Sequence, residues 1–174
     1  MISDGQVPRR GARIQSVYRR MGWRAAAMLN VMLAASTGPA SAQDASATEV
    51  REVIDRVFAG MQDADSAKVR SGFEEGARFA LLPAEGTMAI RYLPIDRWLE
   101  AIAGSEGRWQ EKVYDVEILV DGDIASAWTP YTFYLDGAIQ HCGVNSIELL
   151  RTPDGWKITQ VSDTRRTEGC REVP

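Results

Sequence analysis

The sequence predicts an α+β domain: helices first, then a curved antiparallel sheet. Three observations carry that expectation. Val50, Val53, Ile54, Val57, Phe58 and Met61 recur at helical spacing and make one apolar stripe. From Lys112 onward the chain reads as long strands with period-two alternation. Asp136-Gly137 and Thr152-Pro153-Asp154-Gly155 then fold those strands back as a meander.

The 174 residues fit one domain, with 45% apolar and 25% charged residues, a globular composition. The net charge of -4 hides an asymmetry, because residues 1–42 hold six Arg and one Asp. The remainder carries 14 basic and 23 acidic residues, a net of -9. A surface that acidic repels phosphate backbones, so nucleic acid is not an expected partner.

Residues 1–42 read as a signal peptide and residues 43–174 as the folded domain. Arg9 to Arg24 form a basic region, and Ala25 to Ala35 an apolar run broken only by Asn30. That run is too short to span a bilayer, which takes ~20 apolar residues. Ala40-Ser41-Ala42 follows as an A-x-A site, with cleavage expected before Gln43. Translation from Met21 would shorten the basic region. Arg19-Arg20 offers a twin-arginine reading that Met21 to Arg24 fits poorly. No Cys follows the site, so no membrane anchor is expected, and the compartment is periplasmic or secreted.

In the mature chain, Gln43 to Thr48 reads as a flexible lead-in, with Ser46 and Glu49 spaced as a capping box for the first helix. Gly60 and Asp63-Ala64-Asp65 end that helix. Asp65 is placed to cap a short second helix from Ser66 to Gly72. Arg78–Leu82 and Thr87–Leu93 read as a hairpin around Pro83-Ala84-Glu85-Gly86. Pro94 opens a third helix bearing Ile95, Trp98, Leu99 and Ile102, and Gly104 closes it. Strands follow over Lys112–Val120, Ile124–Leu135, Ile139–Arg151 and Trp156–Arg166.

Two-residue turns at Asp136-Gly137 and Pro153-Asp154 set a register. Thr132 then faces His141, Trp128 faces Asn145, Asn145 faces Ser162, and His141 faces Arg166. One face collects Trp128, Ile147, Leu149, Trp156 and Ile158 at one end. It collects Thr132, Tyr134, His141, Asn145, Ser162 and Thr164 at the other. An apolar half grading into a polar half suits a sheet that leaves a cavity open at one mouth. Pro130 sits in a strand that should be central, so a bulge or sharp bend is expected there, and a bulge would shift the register on one side by one residue and swap the faces.

Helix, short helix, hairpin, helix and three long strands resemble the nuclear transport factor 2-like superfamily of cone-shaped α+β domains. Its polyketide-cyclase-like and lumazine-binding branches are the nearest in pattern. The resemblance spans residues 46–166. It is carried by Val50 to Asp65, Ile118 to Ala125, and the run Asp154-Gly155-Trp156-Lys157-Ile158. It implies a cone-shaped fold and leaves function open, since the superfamily mixes isomerases, dehydratases, hydrolases, binders and non-enzymes. Its catalytic members set Asp, His, Tyr and Arg inside the cone, and no residue-by-residue match to those sets is found here.

Candidate ligand-binding residues are Trp98, Trp128, Thr132, Tyr134, His141 and Asn145. His141, the lone imidazole, is the candidate general base. A single His without an acidic or thiol cluster argues against a metal, and no cofactor is expected. Asp163, Arg165 and Arg166 are a candidate anion-binding or acid–guanidinium group, against the plainer reading of a solvated ion pair. Cys142 and Cys170 are the only cysteines, and an oxidising compartment favours a disulfide between them, with Cys142 facing Arg165.

The expected function is an exported domain that binds a small, partly apolar molecule, leaning away from an enzyme. The alternatives are a proton-transfer enzyme using His141 and a non-catalytic homodimer formed through the sheet by Tyr131, Phe133, Val144 and Val161.

Overall fold

The structure, a computed structural model, describes residues 39–82 and 89–174. The basic and apolar parts of the expected signal peptide, through residue 38, lie outside the described residues, as does Pro83-Ala84-Glu85-Gly86. Helix α1 runs Pro39–Gln62 and α2 Ser66–Arg70. Strands β1 (Phe73–Leu81) and β2 (Arg91–Pro94) precede α3 (Ile95–Ala103). Then come β3 (Trp109–Val113), β4 (Glu117–Asp121), β5 (Ile124–Leu135), β6 (Ala138–Thr152) and β7 (Gly155–Arg166).

The expected stripe of α1 is buried at Val50, Val53, Ile54, Val57 and Met61. Burying that stripe is what holds α1 on the sheet, at ~25 cal/mol per Å² of apolar surface removed from water. Asp65 caps α2, its carboxylate accepting from the Lys68 N–H at 2.9 Å. Gln43 to Thr48 is helical rather than a flexible lead-in. Ala42, Ala45 and Ala47 favour helix, and the turn is anchored to the sheet. Ser46 and Glu49 accept from the Arg151 guanidinium at 2.8 and 2.9 Å, and Glu49 also from Trp156 Nε1 at 3.2 Å. These side chains face the sheet inside the helix, so they form no capping box.

The seven strands make one curved sheet in the order β2-β1-β7-β6-β5-β3, with β4 also paired to β5. It is antiparallel except for the parallel pair β1–β7, which the sequence did not suggest. The hairpin expected around residue 85 is the β1–β2 pair, Arg78↔Pro94 to Leu81↔Arg91. The strand expected over Lys112–Val120 is two strands, broken at Asp115, whose φ of 47° leaves the extended region. The break explains Pro130. Tyr114 N–H donates to the Pro130 carbonyl at 3.0 Å, so the edge of Pro130 that lacks an N–H faces the gap between β3 and β4. Against β6 the ladder is regular, with Pro130 opposite Val144, while on the other side the register shifts by one between Val113↔Tyr131 and Glu117↔Trp128.

The β1–β7 pair shifts register between Phe73 and Arg78, and one bulge in each of the β5–β6 and β6–β7 ladders decides the faces. Phe133 pairs with His141 but Tyr134 with Ile139, so Gln140 is the extra residue on β6. Glu148 pairs with Gln160 but Leu149 with Ile158, so Thr159 is the extra residue on β7. Each bulge moves one strand by one position and exchanges its faces beyond that point. Thr132 therefore faces Cys142, Trp128 faces Ser146, Asn145 faces Asp163, and Cys142 faces Arg166. The helix-covered face carries Ala125, Ala127, Thr129, Tyr131 and Phe133 of β5. It carries His141, Asn145, Ile147 and Leu149 of β6, and Trp156, Ile158, Val161, Asp163 and Arg165 of β7.

Among the described residues no helix is long and apolar enough to cross a membrane.

Candidate functional site

The inner face of the sheet, α1 and α3 enclose a cavity open at one side. About 70 Å³ of it admits the centre of a water-sized sphere. A buried water needs ~10–15 Å³ by that measure, so the space holds on the order of five waters or a compact organic group. Ile54, Val57 and Phe58 of α1 form one wall. An aromatic cluster forms the next, with Phe79 and Trp98 edge to face at 5.0 Å and Phe73 within 6.2 Å of both. Such tilted pairs suit the ring quadrupoles.

The far end is polar: Glu111, Asn145, Asp163 and Arg165 line it. Each reaches the cavity because its strand position has inner parity. Glu111 pairs with Phe133 across β3–β5, and Asn145 with Asp163 across β6–β7. Asn145 Nδ2 donates to Glu111 Oε1 at 2.7 Å. Arg165 Nε donates to Asp163 Oδ2 at 2.8 Å. Asp163 is only 6% exposed, and its Oδ1 has no hydrogen-bond partner among the described residues.

Burial lifts the Glu111 carboxyl from 4.5 to about 7. The Asn145 hydrogen bond opposes that rise, the Asp163 charge adds to it, and Arg165 opposes it. Burial works against the Arg165 charge, but its bond to Asp163 and the fields of Asp163, Tyr131 and Glu111 outweigh it and raise its pKa. Burial, with Glu111 and Asp163, raises the Tyr131 phenol well above its ordinary value, and its hydroxyl donates to the Thr164 carbonyl at 3.1 Å. The site thus holds a fixed ion pair beside one carboxyl poised to gain or lose a proton near neutral pH.

The sequence-predicted residues divide. Trp98 and Asn145 line the cavity. His141 is on the inner face but does not line the cavity. Its ring stacks on Phe133 at 4.8 Å and meets Tyr131 edge-on at 5.8 Å. Burial and the Arg165 charge favour the neutral ring and lower its pKa, and the Asp163 charge opposes them. Trp128, Thr132 and Tyr134 are on the outer face, because the Gln140 bulge reverses β5 against β6. Trp128 is 52% exposed. Thr132 Oγ1 donates to the Arg171 carbonyl at 2.7 Å, and the Tyr134 hydroxyl accepts from the Val173 N–H at 2.9 Å. Both serve to hold the C-terminal tail. Ser162 and Thr164 are also outer residues, displaced from the cavity by the Thr159 bulge.

The Cys142–Cys170 disulfide is present, with Cα atoms 5.5 Å apart, and pins that tail across the outer face. The four residues expected to share a dimer face do not. Tyr131, Phe133 and Val161 look inward and only Val144 outward. The outer face instead exposes Trp128, with Leu119 of β4 and Ile90. Glu111 is the residue sequence reasoning missed. Its signal was the alternation Trp109-Glu111-Val113 opposite Gln110-Lys112, an acid interleaved with bulky apolar residues.

Among the described residues no group of three His, Cys, Asp or Glu is placed to hold a metal ion. No family model matches the chain, and no curated protein matches it. Solved structures do. A protein from Streptomyces avermitilis, described as a candidate dehydratase of the nuclear transport factor 2-like family, is 18% identical with a TM-score of 0.59. The match covers 71% of this chain and 98% of that one. A nuclear transport factor 2-like superfamily protein from Salmonella enterica is 18% identical with a TM-score of 0.58, covering 73% and 95%. A candidate aromatic ring hydroxylase from Novosphingobium aromaticivorans is 15% identical with a TM-score of 0.57, covering 69% and 88%. The curved sheet under three helices, with its cavity on the covered face, is the fold of the nuclear transport factor 2-like superfamily, and this chain has that fold.

Proposed function

We propose that the domain binds a small, largely apolar molecule in the cone, with a polar group of that molecule against Glu111, Asn145, Asp163 and Arg165. The observation that carries this reading is an apolar cavity ending on a buried polar cluster. Buried charge is expensive, and a site that keeps four polar side chains at the end of an apolar space fits ligand orientation better than core stability. The cavity is compact, so the ligand is nearer one ring in size than a steroid. The test is thermal unfolding with toluene and other eight-atom or smaller aromatics. Stabilisation is expected, and it should vanish in Val161→Phe, which fills the cavity. No stabilisation by any of them, or the same stabilisation in the variant, contradicts the reading.

A second reading, proton transfer, rests on Glu111. A carboxyl balanced near pH 7 at the end of a cavity is matched to general acid–base work. His141, the base expected from sequence, stacks outside the cavity lining, so Glu111 takes that role. Exchange of the methyl protons of acetophenone for deuterium is expected in wild type and His141→Phe, and lost in Glu111→Gln. Absence of exchange in wild type rejects proton transfer.

We also propose that the protein is exported. The disulfide and the N-terminal pattern support this. Cleavage before Gln43 would remove the first residues of α1 and leave Ser46 and Glu49 on Arg151. N-terminal sequencing of the protein from the periplasm or medium should begin at Gln43, and an uncleaved chain in the cytoplasm would reject export.

A further inference from the structure

We propose that the cavity selects its ligand through a hydroxyl or N–H group that donates to Asp163 Oδ1, and rejects anions. This rests on the binding reading above and names the chemical class of its ligand. Asp163 is buried, lines the cavity, and uses only one of its two oxygens. Oδ2 holds Arg165 Nε at 2.8 Å, and no described group reaches Oδ1. A buried carboxylate oxygen without a donor is costly, so the native arrangement calls for a donor from the cavity side.

The charges around that oxygen disfavour an anion. From β7 come Asp163 and Arg165, which neutralise each other at 2.8 Å. From β3 comes Glu111, whose Oε1 already accepts from Asn145 of β6. Tyr131 of β5 spends its hydroxyl on the Thr164 carbonyl, and His141 of β6 is stacked on Phe133. The α1 residues of the lining, Ile54, Val57 and Phe58, carry no charge. An anion entering this end meets two acidic side chains against one guanidinium already paired. A cation would be opposed by Arg165 and drawn by Asp163 and Glu111, so the field does not act against it as it does against an anion. A neutral donor that reaches Oδ1 meets a buried acceptor without a partner and nothing that repels it. Beyond the polar end the wall is Phe79, Trp98, Ile147 and Val161, so the rest of the ligand is apolar.

Benzyl alcohol and anisole are isomers that differ in having a donor, which makes them the discriminating probes. Their dissociation constants, with those of toluene and benzoate, are measured by calorimetry on the mature chain and on Asp163→Asn. The Asn is isosteric. With its carbonyl kept on Arg165 it turns an amide N–H toward the ligand. In wild type, benzyl alcohol should bind at least tenfold more tightly than anisole, with benzoate weakest. In Asp163→Asn the preference should fall to within about threefold or reverse. Anisole or benzoate matching benzyl alcohol in wild type overturns the donor proposal while leaving the cavity reading intact. So does a tenfold preference that survives in Asp163→Asn. Failure of all four to bind removes the cavity reading itself, and the donor proposal with it. Should Asp163→Asn not fold by circular dichroism, the wild-type ratio decides alone.

Discussion

Glu111→Gln should stabilise the protein at alkaline pH and leave its stability nearly unchanged at pH 4. In the unfolded chain a Glu titrates near 4.5, and in the folded protein burial holds this one at about 7. A raised carboxyl favours the protonated form in the folded state. Below pH 4.5 both states are protonated and the group contributes no difference. As pH rises from 4.5 to 7 the unfolded chain loses its proton first, and folding increasingly pays for keeping Glu111 neutral. Above pH 7 the full cost is present as a buried carboxylate. At about 1.4 kcal/mol per tenfold change in proton affinity, the ceiling is roughly 3 kcal/mol. Glu111 faces an open cavity that water can enter, so about 1–2 kcal/mol is expected. Gln copies the neutral acid: its oxygen still accepts from Asn145 Nδ2, and its amide replaces the acid O–H. Urea unfolding of both proteins at pH 4 and pH 8.5 measures the effect. A difference of the same size at both pH values, or a loss of stability in Glu111→Gln at pH 8.5, would refute a buried, raised Glu111.

Two further outcomes follow from the same geometry. Gly143→Ala should cost several kcal/mol or prevent folding, because a methyl there collides with the Thr164 carbonyl oxygen across β6–β7 and crowds the Tyr131 ring; wild-type stability by denaturant unfolding would contradict that packing. Cys142→Ser with Cys170→Ser should lower stability by about 3.5 kcal/mol, the chain-entropy value for a separation of 28 residues. Equal melting of this variant and wild type, or no effect of reductant on wild type, would show that the tail is not covalently held.

What was legible in the sequence follows from local chemistry. The α1 stripe and the Asp65 cap need only helical spacing and short-range hydrogen bonds. The Asp136-Gly137 turn needs only positive φ, which both residues adopt, at 52° and 83°. Cysteine counting was enough for the Cys142–Cys170 bridge. The site was less legible because face assignment is a long-range property. Period two carries a face along a strand only until an extra residue intervenes. Gln140 and Thr159, the two bulge residues, are neither Gly nor Pro and give no local signal. Their effect can be followed strand by strand. The inward residues of β6 (His141, Asn145, Ile147, Leu149) and the start of β7 (Trp156, Ile158) match the simple alternation. β5 and the end of β7 do not, which placed Trp128, Thr132 and Tyr134 at the site in place of Glu111, Asp163 and Arg165.

The most direct check is an NMR titration of the ¹⁵N-labelled mature chain with toluene, following side-chain signals. Resonances of the Trp98 indole and the Asn145 amide should move, while that of the Trp128 indole stays in place. Movement at Trp128 with Trp98 and Asn145 unaffected would put the ligand on the outer face and contradict the assignment of the cavity as the functional site.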